Sequence, residues 1–206
     1  MKGTLVLLAL AVAGVAAVAQ SPPAAAQEEG GRYYSETGHT LDGRFVGFFD
    51  DHGGSAILGF PITDSFVDPA SGWRIQYLEN ARLELAPEAG SGRVGVRLAA
   101  LGEALGGWQA PLDAAEIPGA ADANCRYYAE SGHSVCHAFL SFYQAHGGPD
   151  SFGYPISEFQ LVGDRIVQYF QAIRLDWYPE TPSGEPVRVA PLGRQHFDQM
   201  GYDPAL

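Results

Sequence analysis

Tyr33-Tyr34-Ser35-Glu36-Thr37-Gly38-His39-Thr40 returns later in the chain as Tyr127-Tyr128-Ala129-Glu130-Ser131-Gly132-His133-Ser134, at an offset of 94. The offset holds without a gap over residues 33–63, where 13 of 31 positions are identical and eight more are close exchanges such as Phe49 to Tyr143. A self-match of this density outranks any single motif, because it says the chain builds one structural unit twice. After a two-residue gap, Gln76-Tyr77-Leu78 matches Gln168-Tyr169-Phe170, and Arg82-Leu83-Glu84 matches Arg174-Leu175-Asp176. Pro87-Glu88 matches Pro179-Glu180, and each copy closes on Leu-Gly, at Leu101-Gly102 and Leu192-Gly193.

Inside the repeat, Phe45, Phe48, Phe49 and His52 fall at helical spacing, as do Phe139, Phe142, Tyr143 and His146. Thr40 or Asp42, and Ser134 in the second copy, can supply the N-cap oxygen. Gly53-Gly54 and Gly147-Gly148 stop these helices. A Gly-aromatic-Pro turn follows, at Gly59-Phe60-Pro61 and Gly153-Tyr154-Pro155, and its aromatic is expected to plug the core. Alternation over Arg74–Leu78 and Arg82–Ala86, around Glu79-Asn80-Ala81, predicts a hairpin. Val94–Leu98 and Val187–Ala190 suggest a third strand, and residues 98–105 a terminal helix. The expected fold class is α+β: two tandem copies of a small unit, each a helix packed on a short antiparallel hairpin or meander. Residues 27–105 form the first unit and 125–206 the second. The Gly-, Pro- and Ala-rich segment 106–124 has no counterpart and is the expected linker.

Met1-Lys2, the apolar run Leu5–Ala19 and Ala24-Ala25-Ala26 predict a signal peptide over residues 1–26, with cleavage after Ala19 as the second choice. No second long apolar stretch suggests membrane insertion. Cleavage removes Lys2, the chain's lysine, and leaves 11 Arg against 24 acidic residues, a formal charge of −13. An acidic chain lacks the cations that release counterions from phosphates, so nucleic acid is an unsuitable partner. Cys125 and Cys136, in an exported chain, are expected to form a disulfide.

At Leu58-Gly59-Phe60-Pro61 the chain resembles the LGFP repeat of exported bacterial proteins. The second copy reads Phe152-Gly153-Tyr154-Pro155, and both units are longer than the usual repeat. The resemblance implies a secreted or cell-surface location and a role in holding proteins at the cell wall. It implies no catalytic residues.

The repeated polar and aromatic positions are the candidate ligand contacts: Tyr33, Tyr34, Glu36, His39 and Arg82, then Tyr127, Tyr128, Glu130, His133 and Arg174. Glu36 with His39, and Glu130 with His133, read as turn locks. The sharper alternative is an acid–base pair of a secreted hydrolase in a cleft between the copies. The tyrosines could stack on sugar rings or pack in the core. The arginines suit an ion pair with Glu84 and Asp176, or recognition of an acidic ligand. His52 and His146 are expected to cap their helices. No nucleophile elbow, phosphate loop or metal-binding spacing is present, and no cofactor or metal is expected. The expectation is therefore a non-catalytic module that binds envelope polysaccharide or another exported protein, with a purely structural surface protein as the other alternative.

Overall fold

The computed structural model describes residues 30–119, 121–181 and 184–203. The predicted signal peptide lies outside them. The described chain is mixed α+β, with two two-stranded and two four-stranded antiparallel sheets and short helices. No described helix is long and apolar enough to cross a membrane.

From the N-terminus, β1 (Arg32–Tyr34) pairs with β2 (His39–Leu41), then come α1 (Gly43–Asp51) and α2 (Gly54–Leu58). A sheet follows in the order β3 (Phe66–Val67), β4 (Arg74–Tyr77), β5 (Arg82–Pro87) and β6 (Val94–Leu98), and then α3 (Leu101–Ala104). The second half runs β7 (Cys125–Tyr128), β8 (His133–Cys136), α4 (His137–Ala145) and α5 (Gly148–Phe152). Its sheet comprises β9 (Gln160–Val162), β10 (Arg165–Tyr169), β11 (Arg174–Trp177) and β12 (Val187–Val189), with α6 (Leu192–Met200) last.

The helix faces bury as their spacing requires: Phe45 and Phe49, and Phe139 and Tyr143, are core residues. Gly53 and Gly147 follow the ends of α1 and α4 with positive φ, which glycine adopts without steric cost. The two long helices begin differently. Asp42 caps α1, its Oδ1 accepting the Arg44 N–H at 3.0 Å. Ser134 does not cap α4. That position is held by Cys136, which makes no side-chain cap bond, because β8 runs on to this residue. Cys136 instead stands opposite Cys125 in the β7–β8 register and is joined to it by a disulfide. Closing this short loop should contribute about 3 kcal/mol. Reduction, or Cys125→Ser with Cys136→Ser, is therefore expected to lower the urea midpoint accordingly.

The Leu-Gly-aromatic-Pro turn is a clamp on the hairpin that follows it. Glu79 N–H donates to Phe60 O at 2.9 Å and Asn80 N–H to Leu58 O at 3.1 Å. Gln171 N–H donates to Tyr154 O and Ala172 N–H to Phe152 O, both at 3.0 Å. The core plug is not the aromatic. Leu58 and Phe152 are fully buried, whereas Phe60 and Tyr154 are half-buried, edge-on to Tyr34 and Tyr128.

The halves share one core. Leu41, Phe45, Phe49, Leu58 and Leu83 belong to the same buried cluster as Val135, Tyr143, Phe152, Phe170 and Leu175. Their terminal helices are exchanged. Gly102 N–H, in α3, donates to Gln171 O of the second half at 3.0 Å. Arg194 N–H, in α6, donates to Glu79 O of the first half at 2.9 Å. Leu101 and Leu192 meet in a small cluster with Ala99 and Ala190. Each β-hairpin turn is thus held between the Gly-aromatic-Pro turn of its own half and the Leu-Gly helix of the other. The start of the expected linker also packs on the second half: Gln109 N–H donates to Ile156 O at 2.8 Å and Leu112 N–H to Gly132 O at 2.9 Å.

Candidate functional site

Glu36 and Glu130 are exposed and do not lock their turns. Main chain does that work, through Gly38 N–H to Tyr34 O at 2.9 Å and Gly132 N–H to Tyr128 O at 2.8 Å, with both glycines at positive φ. The histidines turn to a different carboxylate. His39 Nδ1 lies 3.7 Å from Asp64, and the buried His133 Nδ1 lies 3.2 Å from Glu158. The same carboxylates accept the next amides, from Thr40 and Ser134, each at 2.9 Å. Each histidine is thereby tied to the loop after Gly-aromatic-Pro, not to the glutamate three residues before it.

Of the four tyrosines, Tyr34 and Tyr128 pack edge-on against Phe49 and Tyr143 in the core. Tyr127 is half-buried, and Tyr33 alone among them is exposed, at 64%. Arg174 pairs with the buried Asp176 through two bonds, Nε–Oδ1 at 2.6 Å and Nη2–Oδ2 at 2.9 Å. Arg82 pairs with the buried Glu84, which Arg97 also holds at 3.0 Å. Each arginine donates further to a tyrosine of the neighbouring strand, Tyr169 or Tyr77, at 3.3 Å. Both guanidinium groups are held by the sheets, although the buried Arg82 Nε has no partner among the described residues.

The first arginine belongs to a relay between the halves. Tyr77 Oη stands 2.8 Å from His196 Nδ1, on α6. Arg82 can only donate to Tyr77, whose own O–H is left to donate onward to a neutral His196. Burial, with Arg82 adding to it, holds His196 below its ordinary value, and burial raises Tyr77. The unfolded chain protonates this histidine near pH ~6.5 and the folded chain only at lower pH. Its contribution to stability is full above that pH and declines as the pH falls. The melting temperature is expected to drop between pH 7 and pH 5, and His196→Gln should flatten that slope.

Two fully buried amides also tie segments together. Gln76 Nε2 donates to Thr40 O and Thr63 O, both at 2.8 Å, and its Oε1 accepts Asp42 N–H at 2.9 Å. Gln168 Nε2 donates to Ser134 O at 2.7 Å and Ser157 O at 2.8 Å.

The surface carries several recesses, one within each half and two between the halves. One cleft, of about 810 Å³, has the face of α4 formed by Ala138, Ser141, Phe142 and Ala145 on one side. Strand β12 and the segment before it lie on another, and Ala56 and Ile57 of the first half complete it. A second cleft, of about 330 Å³, is built from Phe48, strand β6, and Asp150 and Ser151 of the second half. None of the ten sequence-expected contacts lines either cleft. Phe48 and Phe142 do, and these were legible only as helix-face positions. Among the described residues no group of three or more His, Cys, Asp and Glu could hold a metal ion.

Compared with protein-family models, curated proteins and solved structures, the chain has no match in any of the three.

Proposed function

We propose that this chain is an exported, non-catalytic module of two tandem copies that docks at the bacterial cell envelope, on polysaccharide or on another exported protein. The pair of clefts between the halves carries this reading. Matched positions of the repeat build the shared core and the exchanged helices, and between the halves they leave two recesses in corresponding places. A disulfide between Cys125 and Cys136 is compatible with an extracytoplasmic location. The Leu-Gly-Phe-Pro resemblance points to the wall.

A hydrolase built on Glu36–His39 or Glu130–His133 lacks support, since each histidine faces a different carboxylate and neither pair lines a cleft between the halves. The test is retention on isolated bacterial cell walls at low and moderate salt. Retention is expected, and recovery of all the protein in the unbound fraction overturns wall docking. Walls stripped of protein by protease separate the two kinds of partner.

A further inference from the structure

We propose that the larger cleft takes an extended peptide of a partner protein, which adds to β12 as a fifth strand of its sheet. This rests on the reading of the chain as a binding module and narrows the partner to a polypeptide.

The first observation is main-chain direction. Strand β12 is an edge of the sheet β12-β11-β10-β9. Tyr178 N–H donates to Pro186 O at 2.6 Å, and Ala190 N–H donates to Arg174 O at 2.9 Å. With Asp176 opposite Arg188, the antiparallel alternation makes Arg188 a bonded pair and leaves Val187 and Val189 at non-bonded positions. The peptide N–H and C=O groups of Val187 and Val189 therefore point away from β11, Val189 half-buried and Val187 buried at the inner end of the edge. Both valines line the cleft. An edge of this kind is a template for another strand.

The second observation is that the cleft's polar side chains, the exposed Glu185 apart, are already engaged. Asn80 Nδ2 donates to Ile57 O at 2.8 Å, and Ser141 Oγ to His137 O at 3.3 Å. His146 Nδ1 bonds Phe142 O at 2.8 Å, and its ring stacks on Phe142 with centroids 4.2 Å apart. Arg188 lies over Tyr178 and donates to Thr181 at 3.3 Å. A sugar needs free planar polar groups and an open aromatic face, and here the face of Phe142 is covered by His146. Besides the Glu185 carboxylate at the rim, the groups left to bind are those of the strand edge, and these suit a peptide backbone.

The third observation is shape. The run from Ala138 to Ala145 follows the helix for about 10 Å, the length of roughly three extended residues. Ala138, Ser141 and Ala145 are small, which leaves room for every second side chain of the incoming strand. Apolar residues at those alternate positions would meet Ile57, Phe142 and Val187. Strand β6 presents outward peptide groups by the same register logic, at Val94, Val96 and Leu98, but its cleft is less than half as large.

The test uses the full chain, labelled for NMR. The probe is a pool of octapeptides with Val, Ile or Leu at alternate positions and Thr or Ser between them. Amide exchange at Val187 and Val189 is expected to slow at least about tenfold, the worth of one main-chain hydrogen bond. Shift changes should be confined to β12 and α4, and a backbone N-methylated pool should bind far more weakly. Val189→Pro removes an outward donor without breaking the β11–β12 ladder, and should weaken binding about tenfold with the melting temperature retained. No binding at about 1 mM peptide, binding that maps elsewhere, or binding unchanged by Val189→Pro overturns the inference. Wall retention that persists while the pool fails to bind sinks strand addition and leaves wall docking standing. Peptide binding without wall retention does the reverse.

Discussion

Replacing Gly193 by alanine is expected to destabilise the protein by about 3 kcal/mol, lowering its melting temperature by roughly 10 °C. In an exposed helix the same change stabilises by about 1 kcal/mol. The sign reverses here because a Cβ at Gly193 would stand 2.0 Å from Leu78 O and 2.5 Å from Ala81 O. Those are backbone atoms of a hairpin turn clamped on its other side by Phe60, so they cannot retreat. Gly193 lies in a helix and needs no special φ, which leaves contact as the whole effect. Gly102→Ala should behave alike, with its Cβ 1.9 Å from Phe170 O. Thermal melts of both variants check this. A neutral or stabilising result at either position would show that the helices are not seated on the opposite hairpins.

Gln76→Leu is expected to cost about 3 kcal/mol, and Gln168→Leu less, about 2 kcal/mol. Leucine keeps most of the volume but strands buried peptide groups. At the first site it orphans the Asp42 amide and the carbonyls of Thr40 and Thr63. At the second it orphans two carbonyls, Ser134 and Ser157, because Gln168 Oε1 has no described partner. The difference arises where the second half carries Cys136 in place of Asp42. Urea denaturation of the two variants measures both values, and an equal or reversed order contradicts the network as drawn.

Sequence periodicity foretold the elements that carry enough residues to show a period. The faces of α1 and α4, the β4–β5 hairpin and strand β6 lie within a residue or two of where spacing put them. Hairpin β1–β2 escaped notice because three residues are too few to alternate, and Tyr33-Tyr34 carries no polarity difference. Helix α6 was hidden by its start, where Pro191 holds the cap position without a side-chain bond. The Leu-Gly pairs were visible as repeat endings, but their reason lies across the molecule in the other hairpin.

The candidate site was less legible still. Duplication marked Glu36, His39, Arg82 and their partners as special, and they are, mostly as ties within the fold. Glu36 cannot be told from a turn lock by spacing, since the bond that closes the turn belongs to Gly38. The acids that face His39 and His133 lie 25 residues downstream, a distance no local pattern reports. The clefts arise between halves, from walls whose residues look individually like ordinary core or edge. Phe48 and Phe142, followed four residues later by histidine, were the one signal in the sequence. Their role as cleft wall depended on the exchange of helices.

Differential scanning calorimetry of the full chain tests most directly the claim that the halves are one body with shared core and exchanged helices. The account predicts a single transition whose calorimetric and van't Hoff enthalpies agree. Two separable transitions, one for each half, would contradict it.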